Sequence, residues 1–406
     1  MIESVSPEHR LRICVLGDLE GVHTRSWLAY FVRRGHEVHA LSYYAPSAGP
    51  PEGVALRALR PASGGGVLPR EAARPGLTPR LARRLPPGIQ RLVQLVRYRR
   101  AGLRRTVEEI APDVLHAHYL VEHGFYGTSA AFHPYVVTAW GSDVLVDPVR
   151  SPLSRRIARF AIDHADLGTA NNRHMLREMV VRLGLDRARA QHIVLGVERD
   201  FLPPPGASVN ARTLDRTRAT VVLSTRSLDK PLYNIDVLLR AMPRVRERVP
   251  NAQLVIAGDG RLRPRLEALA RALRLDDAVR FAGQLSQEQL RDAMLDAEVF
   301  VSVPSSDATS VALLQAMACG AFPVVSDLPS QEELVEDGTQ GLRVPVREEA
   351  ALATALVRAL EDVELRRDAV ERNRAFVEDY GILETNMARM EAWYYRLAGR
   401  ADEVER

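Results

Sequence analysis

The chain has 406 residues, of which 46% are hydrophobic and 26% charged, and its formal net charge at pH 7 is +4. This composition is ordinary for a globular protein of two or three domains, and it excludes a disordered chain, a collagen and a small disulfide-stabilised scaffold. No apolar run approaches the roughly 20 residues that a membrane-spanning helix needs. The first twelve residues lack the pattern of a secretory signal, so we expect a cytoplasmic protein.

Cysteine and lysine usage gives two further indications. Cys14 and Cys319 lie far apart, each in an apolar segment, so we expect buried reduced thiols and no disulfide. The 55 basic residues comprise 54 arginines and one lysine, Lys230. A genome that favours arginine codons explains the bias. The lone lysine is either a chance survivor or a position that requires a compact ammonium group.

Short apolar runs alternate with helical patterns along the first half of the chain. A helix is expected after the first strand and ends at Gly35, a residue type that favours a C-terminal cap. Strands are expected at 12–17, 36–42, 113–118, 135–140, 166–170 and 191–196. This alternation is typical of βαβ units in a parallel sheet.

Three consecutive prolines at 203–205 form the candidate linker, because proline cannot continue a helix and stiffens the chain. The alternation of strands and helices restarts behind them, and one amphipathic helix is expected over 379–398. Further strands are expected within 220–225, 252–260, 279–283, 298–303 and 322–327. The second half therefore repeats the architecture of the first, which predicts two similar parallel α/β domains.

The segment from Arg57 to Arg105 contains 13 arginines and a single acidic residue, Glu71. It is either a long solvated insertion with a basic helix or a surface that meets phosphate, anionic lipid or another polyanion. Our hypothesis is that it brings the first domain to an anionic membrane face. The alternative is that these arginines are solvated or pair with acidic residues elsewhere in the fold.

The stretch 305–320 combines a small polar loop with a helix start, directly after an expected strand. Thr309 or Ser310 is a natural N-cap. Backbone amides and the helix dipole at such a start favour a bound phosphate, although the pattern also describes an ordinary βα loop. Asp307 precedes the helix and Gln315 lies within it, so both are expected where α/β sheets bind ligands.

Arg226 and Lys230 flank a loop at the carboxyl end of the strand expected at 220–225. Two cations there are able to hold a diphosphate, the arginine as a fork and the lysine as a point charge. As isolated residues they would be solvated surface charges. A shared anion site is favoured because this loop and the helix start at Thr309 both lie at strand ends of one sheet.

Three histidines, His116, His118 and His123, lie close together in the first half. His116 and His118 alternate along a strand and should face the same side. No other Cys/His set has ligand spacing, so we favour hydrogen-bonding or catalytic histidines over a zinc site. The chain also lacks an Asp-x-Asp pair and a GxGxxG motif, so neither a divalent metal on a nucleotide nor a dinucleotide site is expected.

At these residues the chain resembles the retaining, nucleotide-sugar-dependent glycosyltransferases of group 1 (family 4), over nearly its whole length. The motifs that carry the resemblance are HTRSWLAYFVRRGHEVHALS, DVLHAH, VVTAWGSD, VLGVERDFLP, TRSLDK, LVIAGDG, VRFAG and PSSDATSVALLQAMACGAFPVVSD. The resemblance implies an α/β protein of the GT-B fold, with two Rossmann-like parallel-sheet domains that face a cleft. These would span 1–202 and 203–378, with a C-terminal helix over 379–406 packing back on the first domain.

The resemblance also implies an activity, the transfer of a sugar from a nucleotide diphosphate-sugar to a carbohydrate or lipid-linked acceptor with retention of configuration. No cofactor, metal or nucleic acid is expected. The donor would bind the second domain, where Arg226, Lys230 and the amides of Thr309, Ser310 and Val311 stabilise the departing diphosphate. The acceptor would bind the first domain, in the cytoplasm, and by our hypothesis at the inner face of the cell membrane.

The family carries two glutamates, separated by seven residues, where this chain has Asp307 and Gln315. The resemblance implies that Asp307 lies against the transferred sugar and that Gln315 accepts hydrogen bonds from the ribose hydroxyls without a charge. The family histidine near the transferred sugar corresponds to His118. Gly283 in VRFAG and Gly21, the remnant of a glycine-rich first loop, complete the expected donor-binding residues.

Two other classes of function stay open. A GT-B epimerase would convert a nucleotide-sugar without an acceptor, and a phosphorylase would need a pyridoxal-phosphate lysine, whereas the one lysine here lies in a loop. A non-catalytic binding protein is the other class, and Gln315 motivates it. In addition, the spacing from Arg226 to Lys230 is one residue shorter than in the family, and Pro231 stands where the family has glycine.

Overall fold

The computed structural model describes residues 4–42, 46–47, 49–59, 87–100, 102–203 and 220–403. The chain forms two compact units, the first comprising Met1–Leu195 with Glu384–Arg406 and the second Gly196–Leu383. Much of the arginine-rich segment (60–86) and the residues after the first of the three prolines (204–219) lie outside the described residues.

A parallel sheet of seven strands forms the centre of the first unit, in the spatial order β3-β2-β1-β4-β5-β6-β7. The strands are β1 (Arg12–Leu16), β2 (Glu37–Ser42), β3 (Ala55–Ala58), β4 (Val114–His118), β5 (Tyr135–Ala139), β6 (Leu167–Ala170) and β7 (Ala190–His192). Every residue of β4, β5 and β6 is buried. Near-continuous burial of this kind is typical of a parallel sheet with helices on both faces.

Among the described residues, a set of helices lies between these strands in the sequence. They are α1 (Val22–Arg33), α2 (Pro87–Arg100), α3 (Leu103–Ile110), α4 (Phe125–Gly127), α5 (Ser142–Leu145), α6 (Asp147–Arg150), α7 (Pro152–Asp163) and α8 (Arg173–Leu183). Gly35 follows α1 with φ of 92°, a backbone conformation that glycine adopts without strain. The last expected strand, 191–196, is shorter in the structure, since β7 ends at His192 and residues 193–195 are buried outside it.

The second unit has a parallel sheet of six strands in the order β10-β9-β8-β11-β12-β13. Its strands are β8 (Thr220–Ser224), β9 (Ala252–Ala257), β10 (Val279–Gly283), β11 (Val299–Ser302), β12 (Phe322–Ser326) and β13 (Leu342–Val344). Its helices are α9 (Ile235–Arg248), α10 (Arg263–Ala272), α11 (Gln287–Asp296), α12 (Val311–Cys319), α13 (Glu349–Glu361) and α14 (Val363–Tyr380). The five strands expected from the sequence are confirmed, and β13 is an addition.

The C-terminal helix α15 runs from Leu383 to Leu397, so the single helix expected over 379–398 is wrong at its start. The helix is interrupted between Tyr380 and Leu383, where Ile382 forms a parallel β-bridge with Val197. Residues 196–202 belong to the second unit, ahead of the proline linker.

From Glu384 onward, α15 belongs to the first unit, as the fold expected from the sequence requires. The Trp27 indole donates a hydrogen bond to the Tyr394 hydroxyl at 3.1 Å. The Glu391 carboxylate accepts from Arg34 at 2.9 Å and lies 2.9 Å from His36 Nε2. The helix is therefore held by a buried polar cluster as well as by apolar packing. Within the described ranges, no helix has both the length and the apolar character needed to span a bilayer.

Candidate active site

The strand order of the second sheet brings together two loops that are 81 residues apart in sequence. β8 and β11 are neighbours at the point where the chain reverses its direction across the sheet, and ligands of open α/β sheets bind at such points. Arg226 follows β8 and Asp307 follows β11. One terminal nitrogen of the Arg226 guanidinium donates to Asp307 Oδ2, and the two side chains are mostly buried, with 13% and 16% of their surface exposed.

Two further contacts fix the Arg226 side chain. Its Nε donates to Ser302 Oγ at 2.7 Å, and its guanidinium carbon lies 5.3 Å from the centre of the Tyr233 ring, a cation–π contact. The backbone of the Arg226 loop also lies directly against Gly258, because a Cβ on Gly258 would lie only 2.4 Å from the Arg226 carbonyl oxygen. Gly258, the first glycine of the AGDG motif, thus allows the loop after β9 to lie directly against the loop that contains Arg226.

The helix start expected at 309–310 is confirmed. Ser310 is the N-cap of α12, its Oγ accepts from the Leu313 amide at 3.3 Å, and Gly320 ends the helix with φ of 91°. Asp307 lies three residues before this cap, so the carboxylate that holds Arg226 belongs to the loop that leads into α12. Gln315 lies inside the helix and is buried.

Thr309 and Val311 flank the cap residue at the same helix end, where the positive end of the helix dipole favours an anion. Gly283 ends β10 with φ of 71°, in the left-handed region that glycine tolerates, and it bridges to Gly258. It therefore lies on the strand next to β9, at the same edge of the sheet as the arginine loop.

Lys230 has a different environment from Arg226. Its side chain is exposed, and together with Pro231 it lines a cavity of about 300 Å³ between α9, α10 and the loop after β8. None of the other expected site residues lines that cavity. The structure thus brings Arg226, Asp307 and the start of α12 together, and it does not bring Lys230 into a described contact with them.

His118 ends β4 in the first unit, beside the first strand of the sheet. Its Nδ1 lies 3.1 Å from Thr24 Oγ1, and its ring packs edge-on against Trp27 and Trp140. The Nε2 atom is buried and has no hydrogen-bond partner among the residues that the structure describes. Burial, with smaller contributions from His123 and His23, lowers the pKa of His118 to about 3, so the imidazole is neutral at pH 7.

The other two histidines have different roles. His116 and His118 face the same side of β4, as expected, with ring centres 4.7 Å apart. His116 lies within hydrogen-bond distance of both Tyr394 and Thr138, which makes it part of the core. Burial lowers the pKa of His123.

Gly21, another of the expected site residues, is the N-cap of α1. Among the described residues, no group of three or more Cys, His, Asp or Glu side chains is arranged to hold a metal.

Two family models match the chain. Residues 211–376 match the model for glycosyl transferases group 1, and residues 89–172 match the model for glycosyl transferase 4-like proteins. The second half of the chain is therefore similar to the group 1 glycosyltransferases.

Two of the curated proteins to which the chain is similar have names that contain an inositol compound. The chain is 33% identical over 192 residues to the phosphatidyl-myo-inositol mannosyltransferase of Mycobacterium tuberculosis, a match of 45% of this chain and 49% of that protein. It therefore spans about half the length of that relative. It is 29% identical over 308 residues to the D-inositol 3-phosphate glycosyltransferase of Kribbella flavida, 70% of this chain and 72% of that one.

Solved structures with the same fold include Anabaena HepE in complex with UDP and glucose. The TM-score is 0.71 at 16% identity, over 95% of this chain and 99% of that one. At this identity the likeness concerns the fold, and the GT-B class expected from the sequence, with its two Rossmann-like domains, is confirmed.

Sequence reasoning missed three residues that fix a candidate side chain or the loop that follows His118. Ser302 and Tyr233 fix Arg226. Asp143 is fully buried in the first unit and accepts from the amides of Leu120 and Gly141, both at 2.8 Å. Burial raises its pKa to about 6, although these backbone hydrogen bonds oppose the shift. The GSD sequence around Asp143 was visible, but only the fold shows which amides it binds.

Proposed function

We propose that this protein is a retaining, metal-independent glycosyltransferase that moves a sugar from a nucleotide diphosphate-sugar to a lipid-linked or other cell-envelope acceptor. The observation that carries the proposal is the position of Arg226 at the reversal point of the second sheet, bonded to Ser302 and to the loop that leads into α12. A cation held rigidly next to a helix start is the arrangement that stabilises a leaving diphosphate.

The proposed role of Arg226 is electrostatic. Negative charge grows on the diphosphate as the bond to the sugar breaks, and a guanidinium already fixed in place does not need to reorganise at that moment. The amides of Thr309, Ser310 and Val311 act on the same charge from the helix end. Both Asp307 oxygens are engaged, one by Arg226 and the other by the Ala308 amide at 3.1 Å. In this proposal Asp307 therefore positions the Arg226 guanidinium.

In the first unit, His118 is the residue proposed to meet the transferred sugar. Its buried Nε2 has no hydrogen-bond partner within the described part of the chain, and an unpartnered buried polar atom is costly unless a ligand completes it. The neutral imidazole that follows from its lowered pKa is able to donate to or accept from a hydroxyl.

The test is a panel of nucleotide-sugars in a thermal-shift assay, followed by transfer assays with inositol-containing lipids and with their water-soluble headgroups. A donor at 100 times its dissociation constant should stabilise the protein by about 2.7 kcal/mol. The anomeric proton coupling of the product, compared by NMR with that of the donor, reports retention or inversion. Conversion of the donor without an acceptor would instead identify an epimerase, and binding without any conversion would identify a non-catalytic protein.

Arg226→Ala should lower turnover by a factor of about 100–1000, the usual cost of removing one such donor. Arg244→Ala is the matched control, because Arg244 is an exposed arginine of α9 in the same unit. Equal turnover in the two variants would contradict the proposed diphosphate site.

We further propose that helix α2 of the first unit contacts an anionic membrane, where the acceptor would lie. The exposed apolar side chains Ile89, Leu92, Val93 and Val96 recur at the spacing of one helix face. Not all the arginines of the segment are available, since Arg91 is buried and bonded to Ser154 and Asp147. The side chains of residues 97–100 lie outside the described ones, so the attraction expected of those arginines stays a prediction.

Co-sedimentation with vesicles tests this surface. Binding to anionic vesicles that high salt releases, and that Leu92→Asp with Val96→Asp abolishes, would support it. Val181→Asp is the control, because Val181 is an exposed valine on α8. Indifference to both anionic and neutral vesicles at low salt would contradict the membrane proposal and leave a soluble acceptor.

A further inference from the structure

The cavity beside Lys230 has the construction of a second ligand site in the second unit. It is about 300 Å³ in volume, a size that small-molecule sites commonly have. The loop after β8 forms one wall, the first turns of α9 form another, and α10 forms the third. Its lining includes four cations and one carboxylate among the described residues: Lys230, Arg240, Arg265, Arg347 and Asp236.

The single carboxylate is already engaged. Asp236 Oδ2 accepts from Arg240 at 2.9 Å and lies 3.9 Å from Arg347. Lys230 and Arg265 are exposed, and neither forms an ion pair with an acidic residue within the part of the chain that the structure describes. The rim of the cavity therefore carries an uncompensated positive charge.

The floor of the cavity is apolar. Leu228, Ile235 and Leu266 are buried there, and Leu269 adjoins them from α10. An apolar floor beneath a cationic rim matches a ligand with a ring or short chain at one end and an anionic group at the other.

We propose that this cavity binds a phosphorylated small molecule, with its apolar part on the leucine floor and its phosphate against Lys230 and Arg265. The site is separate from the donor site proposed above, because Arg226, Asp307, Thr309 and Gln315 do not line it. Only the loop after β8 is common to both. An occupant would therefore contact the same loop that begins with Arg226.

The test is isothermal titration calorimetry on the full chain with phenyl phosphate, which combines an apolar ring with a phosphate. Inorganic phosphate and phenol, each carrying half of the chemistry, should bind more weakly. Arg265→Ala should weaken phenyl phosphate binding about tenfold or more, because hydrogen bonds between charged groups are the strong ones. Arg271→Ala is the matched control, an exposed arginine of the same helix outside the cavity, and should leave the probe affinity unchanged.

Two outcomes would overturn the proposal. One is no heat of binding with phenyl phosphate, or equal affinity in the Arg265→Ala variant and the unmodified protein. The other is loss of probe binding in Arg226→Ala but not in Arg265→Ala, which would assign the probe to the donor site. The measurement contains neither donor nor acceptor, so a failure of the proposed transferase activity does not affect its result.

Discussion

A double-mutant cycle on Arg226 and Asp307 tests whether the carboxylate acts only through the guanidinium. Arg226→Ala removes the proposed diphosphate contact and should lower kcat/KM for the donor about 100–1000-fold. Asp307→Ala leaves Arg226 with its hydrogen bond to Ser302 and its contact with the Tyr233 ring. We therefore expect a smaller loss for Asp307→Ala, about tenfold, which corresponds to about 1.4 kcal/mol.

The size of the coupling follows from the environment of the pair. A hydrogen bond between charged groups contributes about 1.5–3 kcal/mol. The two side chains keep 13% and 16% of their surface exposed, so water screens the pair only slightly. The lower part of that range is expected because Ser302 retains part of the orientation of Arg226 when Asp307 is removed.

The double variant should have the activity of Arg226→Ala alone, because Asp307 has nothing left to position. The assay is donor kinetics at saturating acceptor, with circular dichroism to check folding. The control cycle uses Arg246 and Asp277, an ion pair of the same unit at 2.9 Å that lies on the surface, and it should leave kcat/KM unchanged. If the losses from Arg226→Ala and Asp307→Ala multiply, Asp307 contacts the donor independently and the reasoning is refuted.

Four further predictions concern Gln315, the metal requirement of the reaction, Lys230 and His118. Gln315→Glu should tighten nucleotide-sugar binding in calorimetry or leave it unchanged, since a carboxylate forms stronger hydrogen bonds to hydroxyls; a large loss would show a pocket built for a neutral side chain. Transfer should persist in EDTA, and a complete loss that magnesium or manganese restores would contradict metal independence. The resemblance implies that Lys230→Ala lowers turnover, but because Lys230 lines a separate cavity we expect turnover and donor affinity close to those of the unmodified protein; a loss as large as that of Arg226→Ala would return Lys230 to the diphosphate site. The pKa of His118 is lowered to about 3 from 6.5, so the unfolded chain takes up the proton first and the first unit should lose stability as the pH falls from 6.5 towards 3. Urea unfolding followed by tryptophan fluorescence should show a smaller loss for His118→Asn, and an unchanged pH dependence would contradict this assignment.

The sequence by itself determined the features that depend on neighbours along the chain. The strand–helix alternation, the cap at Ser310 and the glycine at Gly320 are local, because periodicity and capping depend on residues within a few positions. The same holds for His116 and His118 on one face of β4, which follows from the two-residue repeat of a strand. These features were sufficient for the fold class and for the resemblance to group 1 glycosyltransferases.

Only the tertiary structure decided which charges meet. Arg226 and Asp307 are 81 residues apart, and the order of β8 and β11 in the sheet joins them. Arg91 looked like one of many basic surface residues, yet it is buried against Asp147. Lys230 looked like a partner of Arg226, yet it lines a separate cavity. An ion pair depends on the distance between two side chains in space, and that distance is set by strand order and helix packing, which no local pattern encodes.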